Sequence, residues 1–326
     1  MTSNVRTRFT FAFLAVGLAV ALNIAAAAQT YPARSITLVA GTSRGGITDV
    51  ITRIYADVVS RELGQPVVVD NRPSESGGQA AAYVQAAAPD GYTLLVFSGA
   101  QQTYLPAIRK VDYEPVSGFE PVTALFTLVN FLAVPQNSPA TSVDQLLALG
   151  SRKPGGLVFG SSGLGSTSHL TAARLAQSTK TQIQSVHYAG AAPMIADVLS
   201  GKLDFTFVSY TVARPYVLDG RLKLLAVDAL ERWADLPNLP TLRQAGINQE
   251  KAPSWFALAA PAGTPPSIIA RLHEAFIKAS RDPAVVKAAR ENGALATTTS
   301  PQELKSMISR EAGSASRLIK SLNLTQ

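Results

Sequence analysis

The stretch ITLVAGTSRGGITD, from Ile36 to Asp49, predicts a β-strand, a glycine-rich loop and the start of a helix. Its first five residues are apolar or β-branched, which is typical of a short buried strand. Glycines interrupt the residues that follow, and Thr48 or Asp49 can cap a helix beginning there. Unpaired N–H groups and the positive end of a helix dipole would then meet at one point, which favours a small anion. We expect this loop to hold the carboxylate of a small molecule.

The composition excludes several classes of function. The 326 residues suffice for one large domain or two modest ones, and 47% hydrophobic residues against 16% charged ones allow a sizeable core. The absence of cysteine excludes disulfides, thiolate metal sites and a catalytic thiol. The net charge of +7 is spread along the chain without a long basic run, so a nucleic-acid surface is not expected.

The N-terminal segment has the features of a secretory signal peptide. Arg6 and Arg8 precede an almost wholly apolar run at residues 9–24, and the alanines at 26–28 provide a small-residue cleavage site. We therefore expect cleavage near Ala28, general export and a periplasmic mature chain. An uncleaved membrane anchor is the alternative, because the apolar run approaches the shortest length that spans a bilayer.

Short apolar runs alternate with helical patterns along the rest of the chain, which predicts βαβ units and parallel sheets. Residues 105–121, which contain three prolines, are expected to be irregular. The predicted strands lie at 36–40, 67–69, 92–97, 128–134, 157–159, 183–188, 205–208, 222–227 and 255–260. The predicted helices begin near residue 49 and then lie at 79–88, 142–149, 169–177, 191–199, 267–280, 284–291 and 302–322.

The order of these elements predicts two α/β lobes, each a mainly parallel sheet flanked by helices. The chain would cross between the lobes at residues 128–134 and again at 254–260. Residues 29–131 and 256–326 then form lobe 1, and residues 132–255 form lobe 2. Facing loops at the carboxyl ends of the strands would enclose a cleft.

The first loop also matches the G-x-S-x-G pattern of hydrolases, in Gly41-Thr42-Ser43-Arg44-Gly45. The preceding strand and following helix suit such a nucleophile elbow. However, no earlier strand and loop of the mature chain could donate the second oxyanion-hole N–H. The available bases would be His169, His187 and His273. An exported serine hydrolase that uses Ser43 is therefore the alternative function.

No cofactor or metal is expected. The pair Gly163 and Gly165 lacks the third glycine of a dinucleotide loop, and no Gly-Lys-Ser/Thr tripeptide completes a phosphate loop. The histidines do not pair at helical spacing, which argues against a metal site. His169, in the first turn of a helix, is expected either to be neutral and bonded locally or to contact a ligand.

With both small-residue loops placed, the chain resembles the extracytoplasmic solute-binding receptors of tripartite tricarboxylate transporters, the Bug type. The similarity runs through nearly all of the mature sequence, and the joint order of its segments is more specific than any one of them. The matching segments are YPARSI at 31–36, GGITD at 45–49, LGQPVVVDNRP at 63–73, PDGYTLL at 89–95, SSG through SHL at 161–170, and PAGTP at 261–265.

This resemblance implies a two-lobed, type II periplasmic binding protein (Venus flytrap) that closes on a small carboxylate and is not an enzyme. It implies membrane transporter subunits or a sensor kinase as partners, and we expect a monomer. The loops at 43–49 and 161–168 would grip the ligand. The ligand-binding residues would be Ser43, Arg44, Gly45, Gly46, Thr48, Asp49, Ser98, Ser161, Gly163, Gly165, Ser166, Ser168, Tyr188, Ser209 and Tyr210.

Three departures from the family pattern bear on the ligand. Arg44 stands where relatives have a proline or small residue, and Tyr188-Ala189-Gly190 lacks the usual lysine. Val208-Ser209-Tyr210 replaces the usual Asp-Asn at a strand end. We hypothesise that Arg44 forms a direct ion pair with the carboxylate and that Tyr210 shapes or stacks on the ligand body. Citrate-like acids, C4 dicarboxylates, amino acids, aromatic carboxylates and nicotinate-like acids all remain candidates.

Overall fold

The computed structural model describes residues 31–74, 77–161, 163, 166–188, 190–248 and 254–321. The predicted signal peptide at 1–28 lies outside these residues. Within them, no helix has both the length and the hydropathy needed to cross a bilayer.

Strands and helices alternate along most of the chain, as the sequence pattern predicts. The strands are β1 (Ile36–Ala40), β2 (Val67–Asn71), β3 (Thr93–Ser98), β4 (Phe119–Leu128), β5 (Asn130–Pro135), β6 (Leu157–Ser161), β7 (Ile183–His187), β8 (Phe205–Ser209), β9 (Leu222–Asp228), β10 (Trp255–Pro261) and β11 (Ala294–Ala296). The helices are α1 (Ile47–Leu63), α2 (Gly78–Gln85), a π-helix (Ala100–Tyr104), α3 (Leu105–Ile108), α4 (Val143–Arg152), α5 (Thr167–Thr179), α6 (Ala191–Leu199), α7 (Tyr210–Leu218), α8 (Pro266–Ser280), α9 (Pro283–Glu291) and α10 (Pro301–Ser321).

Two separate sheets form the centres of two lobes, which confirms the predicted two-lobed α/β fold. The first sheet has the order β11-β4-β10-β3-β1-β2, and the second has the order β7-β6-β8-β5-β9. The chain passes from the first sheet to the second at Val129, between β4 and β5, and Trp255 begins the strand that returns. Asn130 and Phe131, assigned to lobe 1 by the sequence pattern, therefore lie in the second sheet.

Most strands of each sheet run in one direction, as expected, and a minority are reversed. The strands β1, β2 and β3 are parallel, as are β6, β7 and β8, but β10 runs antiparallel to β3 and β4, and β5 runs antiparallel to β8 and β9. The crossing of the chain between the lobes accounts for the reversal of β5 and β10. A strand that enters a lobe from the cleft must run away from it, whereas the strands of the βαβ units run toward it.

Helices cover both faces of the first sheet. Alternate residues of β1 point to opposite sides, so that Ile36 and Leu38 pack with α1, α8 and α9, whereas Val39 packs with α2 and α10. All three side chains are fully buried, and burying an apolar side chain of this size stabilises the fold by about 1.5–3 kcal/mol. The Tyr55 hydroxyl of α1 donates to the Leu125 carbonyl of β4 at 2.5 Å, which fixes α1 across the sheet.

The second sheet is layered in the same way. Leu132 and Phe207 pack with α4 and α5 on one face. Ala133 and Val208 pack with α6 and α7 on the other. Each lobe is therefore a three-layer α/β/α unit with its own core.

An apolar cluster joins the two lobes on one side, and we call it the interlobe cluster. Tyr104 of the π-helix and Ile319 of α10 pack there against Leu170 of α5. Arg174 of α5 donates hydrogen bonds to the Tyr104 hydroxyl and, at 3.5 Å, to Ser314 Oγ of α10. The second lobe is thus attached to the first through α5 as well as through the crossing strands.

Several elements differ from the predicted pattern. The predicted strand at 128–134 is two strands separated at Val129, and the region expected to be irregular contains α3 and the start of β4. Pro121 is accommodated in β4 because it lies at a register shift opposite Ala259, where the strand pairing is interrupted. The unpredicted helix α7 contains Pro215, which weakens its sequence signal. The short strand β11 was also not predicted.

Close backbone packing fixes the loop between β1 and α1. A Cβ atom at Gly41 would overlap the Cα atom of Gly77, in the loop that follows β2. The Gln101 side-chain amide in turn donates to the Gly77 carbonyl at 3.0 Å. The loops after β1, β2 and β3 are therefore packed as one unit.

We predict that Gly41→Ala destabilises the protein by about 1–3 kcal/mol, because two backbone segments must separate to admit the methyl group. Gly78→Ala is the matched control, since its Cβ would lie 3.8 Å from the Tyr113 ring at ordinary contact distance. Urea unfolding followed by circular dichroism measures both. Equal stability of the two variants would contradict the prediction.

Candidate functional site

A cleft of about 740 Å³ lies between the lobes, at the carboxyl ends of the parallel strands. Its volume falls within the range of small-molecule sites. Lobe 1 contributes the loops that follow β1, β2 and β3, and lobe 2 contributes the loops that follow β6, β7 and β8. The βαβ arrangement thus brings loops distant in sequence to one place.

Four helices begin at this cleft. Thr48 in the first turn of α1, Ser166 at the start of α5, Ala191 at the start of α6 and Ser209 before α7 all line it. Ser166 Oγ accepts a hydrogen bond from the His169 N–H at 3.3 Å. The first turns of α1, α6 and α7 have no side-chain cap. Their N–H groups and the positive ends of four helix dipoles favour an anion in the cleft.

The side chains that line the cleft reinforce this preference. Among the described lining residues, none is acidic and the charged one is Arg109, which caps the carboxyl end of α3. Apolar side chains such as Leu128 and Phe256 of lobe 1 and Phe207 and Val212 of lobe 2 form much of the remaining wall. The cleft can therefore hold an anionic group and an apolar body together.

Asp49 fixes the first loop from inside. Its side chain is almost fully buried, and its Oδ2 accepts hydrogen bonds from the Gly45 N–H at 2.8 Å and from Arg53 Nε at 3.1 Å. Arg53 also donates to Asn71 Oδ1 at 2.7 Å, and Asn71 Nδ2 donates to the Thr42 carbonyl at 3.1 Å. Burial would raise the pKa of Asp49, but the hydrogen bonds from Arg53 and Gly45 outweigh it and hold that pKa below its usual range. The ionised carboxylate of Asp49 is thus balanced by the charge of Arg53 and holds the loop in place.

A histidine pair supports the second loop. Ser161 Oγ lies 2.6 Å from His187 Nδ1, and the rings of His187 and His169 meet edge to face at 4.6 Å. Burial, together with the neighbouring His187, lowers the pKa of His169 to about 4. His169 is therefore neutral at physiological pH, as its place in the first turn of α5 suggests. The hydroxyls of Ser166 and Ser168 are 3.0 Å apart at the mouth of the same loop.

The structure brings about half of the predicted site residues together at the cleft. They come from both lobes and from four different strand ends. Those that line the cleft are Ser43, Thr48, Ser98, Gly163, Ser166, Ser168 and Ser209.

The other predicted residues lie elsewhere or make other contacts. Arg44, Gly45 and Gly46 are exposed on the first loop, and Asp49 and Ser161 are engaged as described above. The Tyr188 hydroxyl donates to Asp197 Oδ2 at 2.8 Å.

Tyr210 packs against two aromatic rings of lobe 2. Its ring centroid lies 5.4 Å from that of Phe131 and 6.2 Å from that of Trp233. Tyr210 is not among the described residues that line the cleft. Gly165 lies outside the described residues.

Sequence reasoning did not name six polar residues that line the cleft: Thr42, Ser74, Gln101, Arg109, Asn130 and Thr167, the last of which lies within the predicted loop at 161–168. Gln101 belongs to the π-helix. Helices of this type are rare in proteins, and those that occur are often at functional sites. Its position just after β3 was the available signal, because residues beyond the carboxyl ends of parallel strands line such clefts. Arg109 and Asn130 lay in segments interpreted as irregular or as a crossing strand.

The hydrolase alternative lacks a suitable base. Ser43 is exposed at the cleft, whereas His187 is bonded to Ser161 and His273 Nδ1 lies 2.9 Å from the Val122 carbonyl. His169 packs against His187. The strand–loop–helix geometry around Ser43 therefore presents backbone N–H groups to the cleft and does not activate the serine.

Comparison with known proteins identifies the family. The family model described as "Tripartite tricarboxylate transporter family receptor" matches residues 51–324. The chain belongs to this family. Its members are receptors and not enzymes, and the Bug-type resemblance is confirmed by BugT of Bordetella pertussis, which is 31% identical over 87% of this chain and 88% of that protein.

Solved structures of relatives share the receptor's fold. The structure of R. palustris Rpa4515 with adipate is 33% identical, with a TM-score of 0.75 over 89% of this chain and 97% of that chain. The structure of MatC (Rpa3494) from Rhodopseudomonas palustris with bound malate is 27% identical, with a TM-score of 0.72 over 89% of this chain and 100% of that chain.

We predict that Asp49→Asn destabilises the receptor by about 1–3 kcal/mol at pH 7, because charge-assisted hydrogen bonds within the first loop are lost. The pKa of Asp49 is lower in the folded state, so its contribution is complete above the ordinary value of 3.8 and declines as the pH falls through the folded value. Urea unfolding between pH 7 and pH 3 measures the difference between wild type and variant. A difference that stays constant down to pH 3 would contradict this assignment.

Proposed function

We propose that this receptor is a periplasmic solute-binding protein that captures a small carboxylate in the cleft between its lobes. It would deliver the carboxylate to a tripartite tricarboxylate-type transporter or report it to a sensor. The apolar N-terminal segment and family membership support export to the periplasm.

One observation carries the proposal. Four helix N-termini from both lobes begin at a cleft in which the described lining residues include Arg109 and no acidic side chain. Such a cleft stabilises an anion through backbone N–H groups and dipoles. A carboxylate has the charge and the planar acceptor geometry that these donors and a guanidinium group suit.

The structures of relatives support a carboxylate rather than another anion. Rpa4515 was solved with adipate and MatC with malate, both of which are dicarboxylates with different spacers. Helix N-termini on opposite sides of the cleft fit two anionic ends, and the apolar walls fit a methylene body. Rotation of the lobes about the crossing strands would close the cleft over the ligand.

We predict that small carboxylates raise the melting temperature of the mature receptor without being consumed. A ligand at one hundred times its dissociation constant adds about 2.7 kcal/mol to the unfolding free energy, which corresponds to roughly 5 °C or more for a chain of this size. Differential scanning fluorimetry over mono-, di- and tricarboxylates measures the shift, and proton NMR of the same mixtures measures consumption. Absence of any shift would contradict the proposal, and turnover abolished by Ser43→Ala would favour the hydrolase.

We also predict that Arg109 contributes more to carboxylate affinity than Arg44. Arg109 lines the cleft, whereas Arg44 is exposed on the rim loop. Arg109→Gln should weaken binding of the best carboxylate from the fluorimetry panel about tenfold or more, and Arg44→Gln should change it by less than about threefold. Isothermal titration calorimetry measures both variants. A larger loss of affinity in Arg44→Gln than in Arg109→Gln would contradict this prediction and support the ion pair that the sequence suggested for Arg44.

A further inference from the structure

Asn130 occupies a singular position in the fold. It is the first residue of β5, directly after the chain crosses between the lobes, and it lines the cleft. Its backbone lies between those of Ser209 in β8 and Asp228 in β9. Ser209 also lines the cleft and precedes the first turn of α7. Asn130 is therefore at the inner end of the cleft, where both lobes meet.

The side-chain amide of Asn130 is buried and unsatisfied. The residue is 9% exposed, and its Nδ2 is inaccessible to solvent without a hydrogen-bond partner among the described residues. The neighbouring Asp228 accepts from Thr171 Oγ1 at 3.3 Å instead. Buried polar groups are nearly always paired, so an unpaired donor at the wall of a cleft is an unusual and unfavourable arrangement.

A second polar group shares this condition on the opposite lobe. Thr42, in the loop after β1, also lines the cleft, and its Oγ1 is buried without a partner. The Thr42 backbone is already fixed, because its carbonyl accepts from Asn71 Nδ2. The two unsatisfied groups therefore belong to opposite lobes and border the same cavity.

We propose that Asn130 is a specificity-determining residue whose side-chain amide turns toward the cleft on binding, so that Nδ2 donates a hydrogen bond to an oxygen atom of the bound ligand. This inference rests on the proposed carboxylate-binding function and narrows it. The ligand must carry an acceptor oxygen at its inner end, next to the crossing strand, in addition to the carboxylate that the other helix N-termini hold. Its class is a dicarboxylate or an acid with a distal oxygen, not a monocarboxylate with a hydrocarbon or aromatic tail.

The physical basis is that a buried hydrogen-bond donor without a partner is unfavourable, whereas the same donor paired with an oxygen is not. The amide nitrogen is already shielded from water, so an apolar tail that reached Asn130 would leave it unpaired, whereas an oxygen acceptor would satisfy it. Sites built to hydrogen-bond a ligand oxygen reject analogues that lack it more strongly than apolar pockets reject an extra group. The apolar walls contributed by Phe207 and Phe256 fit the carbon chain of either class, so Asn130 supplies the discrimination.

The test compares matched acids on matched variants by isothermal titration calorimetry. The pairs are adipate with hexanoate and succinate with butyrate, each equal in carbon number and differing in the oxygenated end. Wild type should prefer the dicarboxylate of at least one pair, and Asn130→Leu should reduce that preference about tenfold. Because Asn and Leu are both neutral, a preference due to ligand charge alone would be unchanged in the variant. Asn130→Ala should behave in the same way, which separates a lost donor from a steric block by leucine.

Thr52→Val is the control variant. Thr52 in α1 is fully buried with an unpartnered Oγ1, but it is not among the described residues that line the cleft. It should leave all affinities unchanged. Ligand-free Asn130→Leu should melt no lower than wild type, because no internal hydrogen bond is lost, whereas a purely structural role would lower its melting temperature.

The outcomes separate this inference from the proposed function. Equal preference in wild type and both Asn130 variants, or tight binding of hexanoate or benzoate without any binding of the dicarboxylates, would overturn the role of Asn130 and leave carboxylate binding intact. Failure of every carboxylate to bind wild type would overturn both.

Discussion

The crossing of the chain at Val129 and its return in β10 are the constraint on which the rest of the structure depends. Because these strands leave one sheet at the cleft and enter the other from it, the carboxyl ends of both sets of parallel strands face each other. Each of those ends is followed by a loop and a helix, so the N-termini of α1, α5, α6 and α7 converge. The electrostatic character of the cleft is therefore a product of topology more than of charged side chains.

The convergence of helix N-termini also explains the pairing and the charge state of the ionisable side chains near the cleft. Four positive dipole ends require that any carboxylate near them be either a ligand or neutralised. Asp49 is neutralised, because Arg53 and the Gly45 N–H surround it. The histidine pair behind the second loop is held with His169 uncharged, since burial at a helix N-terminus opposes a further positive charge. Both loops are thus fixed by side chains that add little net charge to the cleft.

Much of the fold could be predicted from local patterns, because buried strands and amphipathic helices leave strong signals. The strand at 36–40 and the loop after it were placed correctly as elements, and the described residues of the predicted serine-rich loop, Gly163 and Ser166, lie between β6 and α5. The reversed direction of β5, β10 and β11 and the break at Val129 were not predicted, since pairing is a long-range property that local periodicity does not encode. For the site, glycine and serine residues could be recognised as loop residues, whereas Arg109 and Asn130 reach the cleft through the end of α3 and the crossing of the chain. Arg44 was favoured as a ligand contact because the local sequence does not show whether a loop residue lies on the exposed rim of a cleft or on its inner wall.

The interlobe cluster has a consequence for the energetics of capture. Leu170 and Arg174 of α5 already hold lobe 2 against Tyr104 and α10, so the lobes are joined at one side of the cleft before any ligand arrives. A rotation of the lobes then has to pivot near this contact, because separating them there would expose the cluster to water. The lobes therefore stay joined on that side, and the ordering that accompanies ligand binding is confined to the side of the cleft away from the cluster.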